Sequence, residues 1–420
     1  MASMSQIRRY GRRTRTPALL LCCCLCGTAA ASEAVPRALQ HSGGLPTGDG
    51  ERTLESDLRA YRGMIEELET RGGAYDASLA EPLLGLGRAL QRAGDHGAAI
   101  RALKRGVHLA RINDGLYSER QVALLQAEIA SHVALGDYEA ADERQRYLYR
   151  VQVRALSAVP RGTALMQHAQ WQRRAFEARL DEEPGQRLLR MWALYQLALT
   201  EIAESEGESS PTLLPPLYGM LRAQYLLTGF VGETTTGQFT TAAPWGDWEE
   251  QQRLYRGQSY DRGASVIRAI HDVRRAQDEN TLRHTAEALL MLGDWQLWNG
   301  KRMDAMETYA ELDQELAAIE GAQALRAAFF AEPQPLPALE GVRALPPARG
   351  AGESPLLLQF GVTDNGRVVD VERLDEHPAN DTQADDIMRR LRRTLFRPRI
   401  SDGIAVDTAE VVRAYDIADW

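Results

Sequence analysis

Cysteine and lysine are scarce in this sequence, and their positions limit its chemistry. All four cysteines lie within residues 18–31. Lys104 and Lys301 are the only lysines, so arginine supplies nearly all of the positive charge. If residues 18–31 are removed during maturation, the remaining chain contains no cysteine. That absence excludes disulfides, thiol nucleophiles and zinc sites with cysteine ligands.

The sequence also lacks a long hydrophobic run. Its one apolar stretch, residues 18–31, is shorter than the ~20 residues that cross a bilayer. Five arginines without any acidic residue precede this stretch, and three alanines end it. These features are typical of a secretory signal peptide with a small-residue cleavage site. We therefore predict a cleaved signal at residues 1–31 and a periplasmic protein without a transmembrane helix. A lipid anchor is the less favoured outcome of export, and a buried N-terminal helix is the alternative to a signal.

Acidic residues outnumber basic ones in the chain that follows residue 31. The formal net charge is −9, and it becomes −14 once residues 1–31, with five arginines and no acid, are removed. An acidic body repels phosphate backbones. We therefore expect no nucleic-acid partner, and we predict protein or peptide partners in the cell envelope.

Motifs for catalysis and metal binding are missing. None of the eight histidines has H-E-x-x-H or H-x-H spacing, and no G-x-S-x-G elbow or phosphate-binding glycine loop occurs. We predict no catalytic, cofactor-binding or metal-binding residue and no cofactor. The alternative is a cell-envelope enzyme whose site lies in residues 158–280, around a Thr-rich, aromatic loop predicted for Val231–Tyr260.

Composition divides the chain into five segments. The signal peptide, residues 1–31, precedes a Gly-, Pro- and Ser-rich leader at 32–52. Helical periodicity over 53–331 predicts a mainly α domain. Six of the 24 residues in 332–355 are proline, which predicts an extended linker of at most about 75 Å. Residues 356–420 follow as a compact unit.

A repeated pattern within the helical part indicates its architecture. Gly94-Asp95 and Gly136-Asp137 lie 42 residues apart, and two alanines follow each pair. Such a period is typical of stacked helical hairpins. The pattern resembles the tetratricopeptide repeat (TPR) family. Residues 80–118 and a later stretch carry the family's small and apolar positions: Leu83, Leu86, Gly87, Leu90, Gly94 and Ala99, then Leu289, Leu292, Gly293, Gly300, Ala305 and Tyr309.

The resemblance to TPR proteins implies a concave surface lined by the first helix of each hairpin. It assigns partner contacts to six side chains: Arg88, Gln91, Arg92, Gln126, Asp294 and Trp298. Their mixture of charge, amide and aromatic groups suits a protein or peptide partner. The alternative is that flanking helices of the same array fill the groove.

The last segment predicts a small α+β unit in β-β-α-β order. Two alternating apolar runs within Leu356–Leu374 flank an Asp-Asn-Gly turn, which is the pattern of a β-hairpin. An amphipathic helix follows, and residues 404–417 provide one or two further strands. The apolar stripe of that helix consists of Ala384, Ile387, Met388, Leu391 and Leu395.

This terminal unit resembles the C-terminal domain of the TonB family, which binds partners by strand addition at a sheet edge. The resemblance assigns the edge to Ala409–Ala414 and the contacts to Val411, Val412 and Arg413. The whole sequence thus predicts a TPR-like helical array followed by a TonB-like domain, acting as a periplasmic adaptor or scaffold. A homodimer paired through the same edge is an alternative assembly.

Overall fold

The computed structural model describes residues 48–180, 184–236, 246–277, 281–342, 344–346, 348–349, 356–375 and 381–415. The predicted signal peptide and residues 32–47 of the predicted leader lie outside these ranges. The chain forms two compact units, and the boundary between them falls between Leu156 and Ser157.

The described part of the first unit is a series of α-helices in which each helix packs against the next. Its helices are α1 (Gly48–Gly72), α2 (Ala80–Arg92), α3 (His96–Asp114), α4 (Arg120–Ala134) and α5 (Tyr138–Ala155). Helix α1 begins five residues before the predicted start of the helical domain. Glu51 and Arg52, which the leader was predicted to contain, are good helix formers, and the first turn extends through them.

The turns of the first unit confirm the predicted helical hairpins. Gly94 and Gly136 end α2 and α4 with positive φ angles of 76° and 72°, a conformation that favours glycine. Asp95 and Asp137 then start α3 and α5. Each carboxylate accepts a hydrogen bond from the amide three residues further on, at 2.9 and 3.2 Å. The repeated Gly-Asp pair is thus a helix stop followed by a helix cap.

The second unit begins with seven described α-helices, and consecutive α-helices pack together. They are α6 (Ala158–Glu177), α7 (Pro184–Glu206), α8 (Leu214–Thr236), α9 (Gly246–Arg275), α10 (Thr281–Trp298), α11 (Arg302–Ala318) and α12 (Gln323–Phe330). The aromatic loop predicted for Val231–Tyr260 is much shorter than expected. Helices α8 and α9 cover both of its ends, because helix pairing stabilises segments of modest helix propensity. Residues 237–245, with Trp245, lie outside the described ranges.

One glycine in each unit explains how two helices approach closely. A Cβ on Gly87 would lie 2.6 Å from the Leu103 side chain, and one on Gly293 would lie 2.4 Å from the Tyr309 ring. In both pairs the partner follows the glycine by 16 residues, in the next helix. Ile129 occupies the corresponding position of α4, so this close approach is not repeated there.

A small α/β region completes the second unit. Its elements are β1 (Gln334–Pro335), β2 (Ala348–Arg349), β3 (Leu356–Val362), β4 (Val368–Arg373), α13 (Asp381–Arg393), β5 (Phe396–Arg397), β6 (Arg399–Ser401), β7 (Ile404–Val406) and β8 (Thr408–Tyr415). Four strands form an antiparallel sheet in the order β2-β8-β3-β4, while β1 pairs with β5 and β6 with β7. The predicted mainly α fold with a small terminal sheet is confirmed.

The predicted hairpin forms from β3 and β4. Its turn is closed by hydrogen bonds between Thr363 and Arg367 at 2.9 Å and between Gly366 and Thr363 at 2.8 Å. The inward residues of β3 pack with Ala384, Ile387, Met388 and Leu391, as the helical spacing predicted. Leu395, which the prediction placed on the same stripe, follows the end of α13 and packs against the helical cluster instead. Phe360 and Phe396 lie at the centre of this core with ring centroids 5.6 Å apart.

The proline-rich segment predicted as a linker is packed into the second unit where the structure describes it. Arg222 Nε donates to the Glu340 carbonyl at 2.7 Å, and Arg173 Nη1 donates to the Gly341 carbonyl at 3.1 Å. These arginines belong to α8 and α6. Leu336 is buried, and its amide donates to the Leu395 carbonyl at 2.8 Å. Burial and these hydrogen bonds hold the segment against the helices instead of letting it extend.

Candidate protein-binding groove and the docked terminal strands

An open groove in the first unit contains three of the predicted contact residues. It has a volume of about 530 Å³ and is lined by Tyr61, Gly85, Arg88, Gln91 and Arg92, which we call the α1/α2 groove. Glycine at position 85 leaves room for the Tyr61 ring, since a Cβ there would lie 2.3 Å from it. The groove therefore combines an aromatic floor with two guanidinium groups.

The side chains of the α1/α2 groove differ in how far they are already engaged. Arg88 is exposed and forms no ion pair with any residue that the structure describes. Arg92 pairs with Asp57 at 2.9 Å on the surface. Gln91 Nε2 donates to the Ala127 carbonyl at 2.7 Å and thereby links α2 to α4. Gln126, on α4, is exposed. Arg88 and Gln126 are thus the predicted residues best placed to meet a partner.

Asp294 is an internal contact, which corrects the expectation that it faces a partner. Its side chain is buried, and Arg397 Nη1 lies 2.9 and 2.8 Å from its two carboxylate oxygens. The Tyr309 hydroxyl donates to the same carboxylate at 2.7 Å. Burial raises the pKa of Asp294, against the lowering effect of Arg397. A terminal strand, β5, therefore occupies the position that the repeat pattern assigned to a partner.

Trp298 is also engaged within its own unit. Its indole Nε1 donates to Thr228 Oγ1 at 2.8 Å, and its ring lies edge-on to Tyr225 at 5.6 Å between centroids. This tryptophan fastens α10 to α8 and is only partly exposed. Here the alternative interpretation from the sequence holds, since elements of the same chain fill the groove.

Within the described ranges, only the end of the predicted strand edge is covered by a neighbouring strand. Strand β8 lies between β3 and β2, and β2 pairs with its end at Ala414 and Tyr415. Val411 is buried in the sheet core, whereas Val412 is half exposed. Arg413 Nη2 donates to the Pro333 carbonyl at 2.5 Å. The edge prediction is wrong at Ala414, which β2 covers although the proline-rich segment carries no strand pattern. For residues 409–413 it stays a prediction.

A further contact that the sequence did not reveal holds the β6–β7 hairpin on the helices. Asp313 receives two hydrogen bonds from Arg326, at 2.6 and 2.8 Å, and one from the Gly403 amide at 2.9 Å. The hydrogen bonds from Arg326 and the Gly403 amide lower the pKa of Asp313. Ile400 is buried among residues of α10, α11 and α12. The terminal strands are thus docked through one apolar cluster and two carboxylates.

Two further observations concern the described residues. No helix in the described part of the chain is long and apolar enough to cross a membrane. Within the same ranges, no three His, Cys, Asp or Glu side chains are grouped as a metal site would require.

Comparisons with known proteins find matches among solved structures. No protein-family model matches the chain, and no curated protein matches it. Among solved structures, a kinesin light chain from Podosopora anserina with nearly identical TPR-like repeats is 15% identical. The matched region covers 60% of this chain and 97% of the kinesin light chain structure, with a TM-score of 0.36. BtubC (BKLC) from P. vanneervenii is 14% identical. The matched region covers 64% of this chain and 92% of BtubC, with a TM-score of 0.34.

Proposed function

We propose that the protein is an exported periplasmic scaffold that binds a protein or peptide partner in the α1/α2 groove. The observation that carries this proposal is the open groove lined by Tyr61 and by Arg88, which forms no ion pair within the described ranges. Aromatic and arginine side chains are the residues that contribute most at protein interfaces. The signal-like residues 1–31 support export.

Photo-crosslinking tests the groove. The full chain carrying a photoreactive amino acid at position 88 or 92, the exposed residues of the groove lining, is irradiated in intact cells that export it. We expect both positions to give an adduct with the same protein. The matched control is Arg101, which is exposed on α3 and does not line the groove. Adducts that are equally abundant at position 101 contradict the proposal.

Cell fractionation tests export separately from the groove. Osmotic shock should release the full-length product in a form shortened at its N-terminus, whereas a variant without residues 1–31 should remain in the cytoplasm. An unprocessed wild-type protein that stays in the cytoplasm contradicts periplasmic location and leaves the groove assignment intact.

The resemblance of residues 356–420 to the TonB C-terminal domain supports a second contact by strand addition. Because β8 is paired on both sides at its end, we assign that contact to β4, the last strand of the sheet within the described ranges. Val369 on β4 is 39% exposed, and Val412 on β8 is 50% exposed. A crosslinker at position 369 should capture a partner, and one at position 412 should not. The reverse result assigns capture to β8.

A further inference from the structure

A second pocket of the first unit carries an excess of positive charge. It has a volume of about 300 Å³, is lined by residues of α3, α4 and α5, and shares no residue with the α1/α2 groove. We call it the basic pocket. Four cations and two carboxylates line it: Lys104, Arg111, Arg144, Arg150, Glu128 and Glu143. This local surplus stands in contrast to a chain whose net charge is −9.

One carboxylate of the basic pocket, Glu128, already lies next to two of its cations. Glu128 is fully buried, and Arg144 Nε lies 2.9 Å from its Oε1, while Lys104 Nζ lies 3.9 Å from the same atom. Burial raises the pKa of Glu128, against the lowering effects of Arg144 and Lys104. Neither of its oxygens accepts a hydrogen bond from the described residues, so Arg144 and Lys104 contact it as charges. The buried carboxylate therefore compensates these two cations and leaves Arg111 and Arg150 unmatched by it.

Two arginines at the opening of the pocket are free to bind an anion. Arg111 and Arg150 are exposed, and neither pairs with a carboxylate anywhere in the described ranges. The Arg150 guanidinium lies 5.6 Å from the centre of the Tyr147 ring. The Tyr147 hydroxyl donates to Gln121 Oε1 at 2.7 Å, which fixes that ring. Arg150 is thus held at the opening by an aromatic face and keeps its hydrogen-bond donors available.

We propose that the basic pocket binds the carboxylate side chains of an acidic peptide segment. Arginine donates paired, charge-assisted hydrogen bonds to a carboxylate. The Tyr147 ring and Val107 in the lining add apolar contact for the peptide chain. A peptide fits better than a nucleic acid because the acidic remainder of the protein repels a continuous phosphate backbone. This inference does not depend on the partner proposed for the α1/α2 groove.

The test is fluorescence anisotropy with the full chain and a labelled octaglutamate peptide at low salt. We expect binding that weakens as salt is added, and no binding of octaglutamine. Arg111→Glu combined with Arg150→Glu should weaken octaglutamate binding at least tenfold. Both side chains are exposed, so the substitutions preserve the fold, which circular dichroism verifies.

The matched control is Arg62→Glu combined with Arg101→Glu. These residues are exposed on α1 and α3 and lie outside the basic pocket. Their substitution changes the net charge by the same amount as the Arg111/Arg150 double variant. Affinity within threefold of the wild type supports a defined site. An equal loss in both double variants overturns it and indicates attraction by overall charge. Tighter binding of a single-stranded oligonucleotide than of octaglutamate also overturns the peptide assignment.

Discussion

Arg397 and Asp294 form a buried ion pair although 103 residues separate them in the chain. Both side chains are almost fully buried, and one guanidinium nitrogen contacts both carboxylate oxygens at 2.9 and 2.8 Å. The Tyr309 hydroxyl supplies a further hydrogen bond to the carboxylate. This pair joins β5 to α10 and so attaches the terminal strands to the helices.

Arg397→Met should destabilise the second unit by about 3–5 kcal/mol, because it leaves a buried carboxylate without its partner. All seven tryptophans of the chain follow residue 156, so tryptophan fluorescence during urea unfolding reports on this unit alone. The double variant Asp294→Asn/Arg397→Met should recover part of the loss, since no uncompensated charge remains. A loss below about 1 kcal/mol for the single variant, the value of an exposed pair, contradicts this account.

Gly293→Ala should destabilise the second unit by about 1–3 kcal/mol through overpacking. The new methyl group would lie 2.4 Å from a Tyr309 ring that is fully buried and hydrogen-bonded to Asp294. Gly229→Ala in α8 is the control, because its methyl group would meet Trp298 at an ordinary 3.6 Å. That variant should be neutral or gain up to about 1 kcal/mol from helix propensity. Equal effects at both glycines would rule out the steric explanation.

Asp95→Ala should destabilise the first unit by about 1 kcal/mol, because the start of α3 loses the acceptor for the Ala98 amide. Asp95→Asn keeps a side-chain oxygen at that place and should retain most of the stability. Circular dichroism during unfolding follows both units, whereas the tryptophan signal should stay unchanged. If Asp95→Asn and Asp95→Ala lose the same amount of stability, the negative charge of Asp95, and not its hydrogen bond to the Ala98 amide, stabilises α3.

The features that the sequence predicted correctly are those encoded over short distances. The Gly-Asp pairs at 94–95 and 136–137 specify a helix stop and a cap within two residues. The β3–β4 hairpin follows from alternation around one turn. The stripe on α13 follows from helical spacing alone. In each case the interacting residues lie within a few positions of one another.

The features that it missed depend on contacts between distant segments. Nothing near Arg397 distinguishes it from its five neighbouring arginines, and only Asp294 makes it a core residue. Likewise, β2 has two residues, too few for an alternating pattern, yet it covers the end of β8. Of the predicted contact residues, Arg88 and Gln126 are exposed, whereas Asp294 is covered by β5.

Burial of His168 should make the stability of the second unit depend on pH. Desolvation lowers the pKa of this histidine from 6.5 to about 4 in the folded chain. The unfolded chain therefore binds a proton first as the pH falls. The stabilising contribution of the neutral, buried His168 is complete above pH 6.5, declines below it, and is lost as the pH passes 4, a change on the order of 3 kcal/mol.

His168→Gln should have a flatter stability profile between pH 7 and pH 4 in urea titrations followed by tryptophan fluorescence. Parallel profiles for the wild type and His168→Gln would assign the acid sensitivity to other groups.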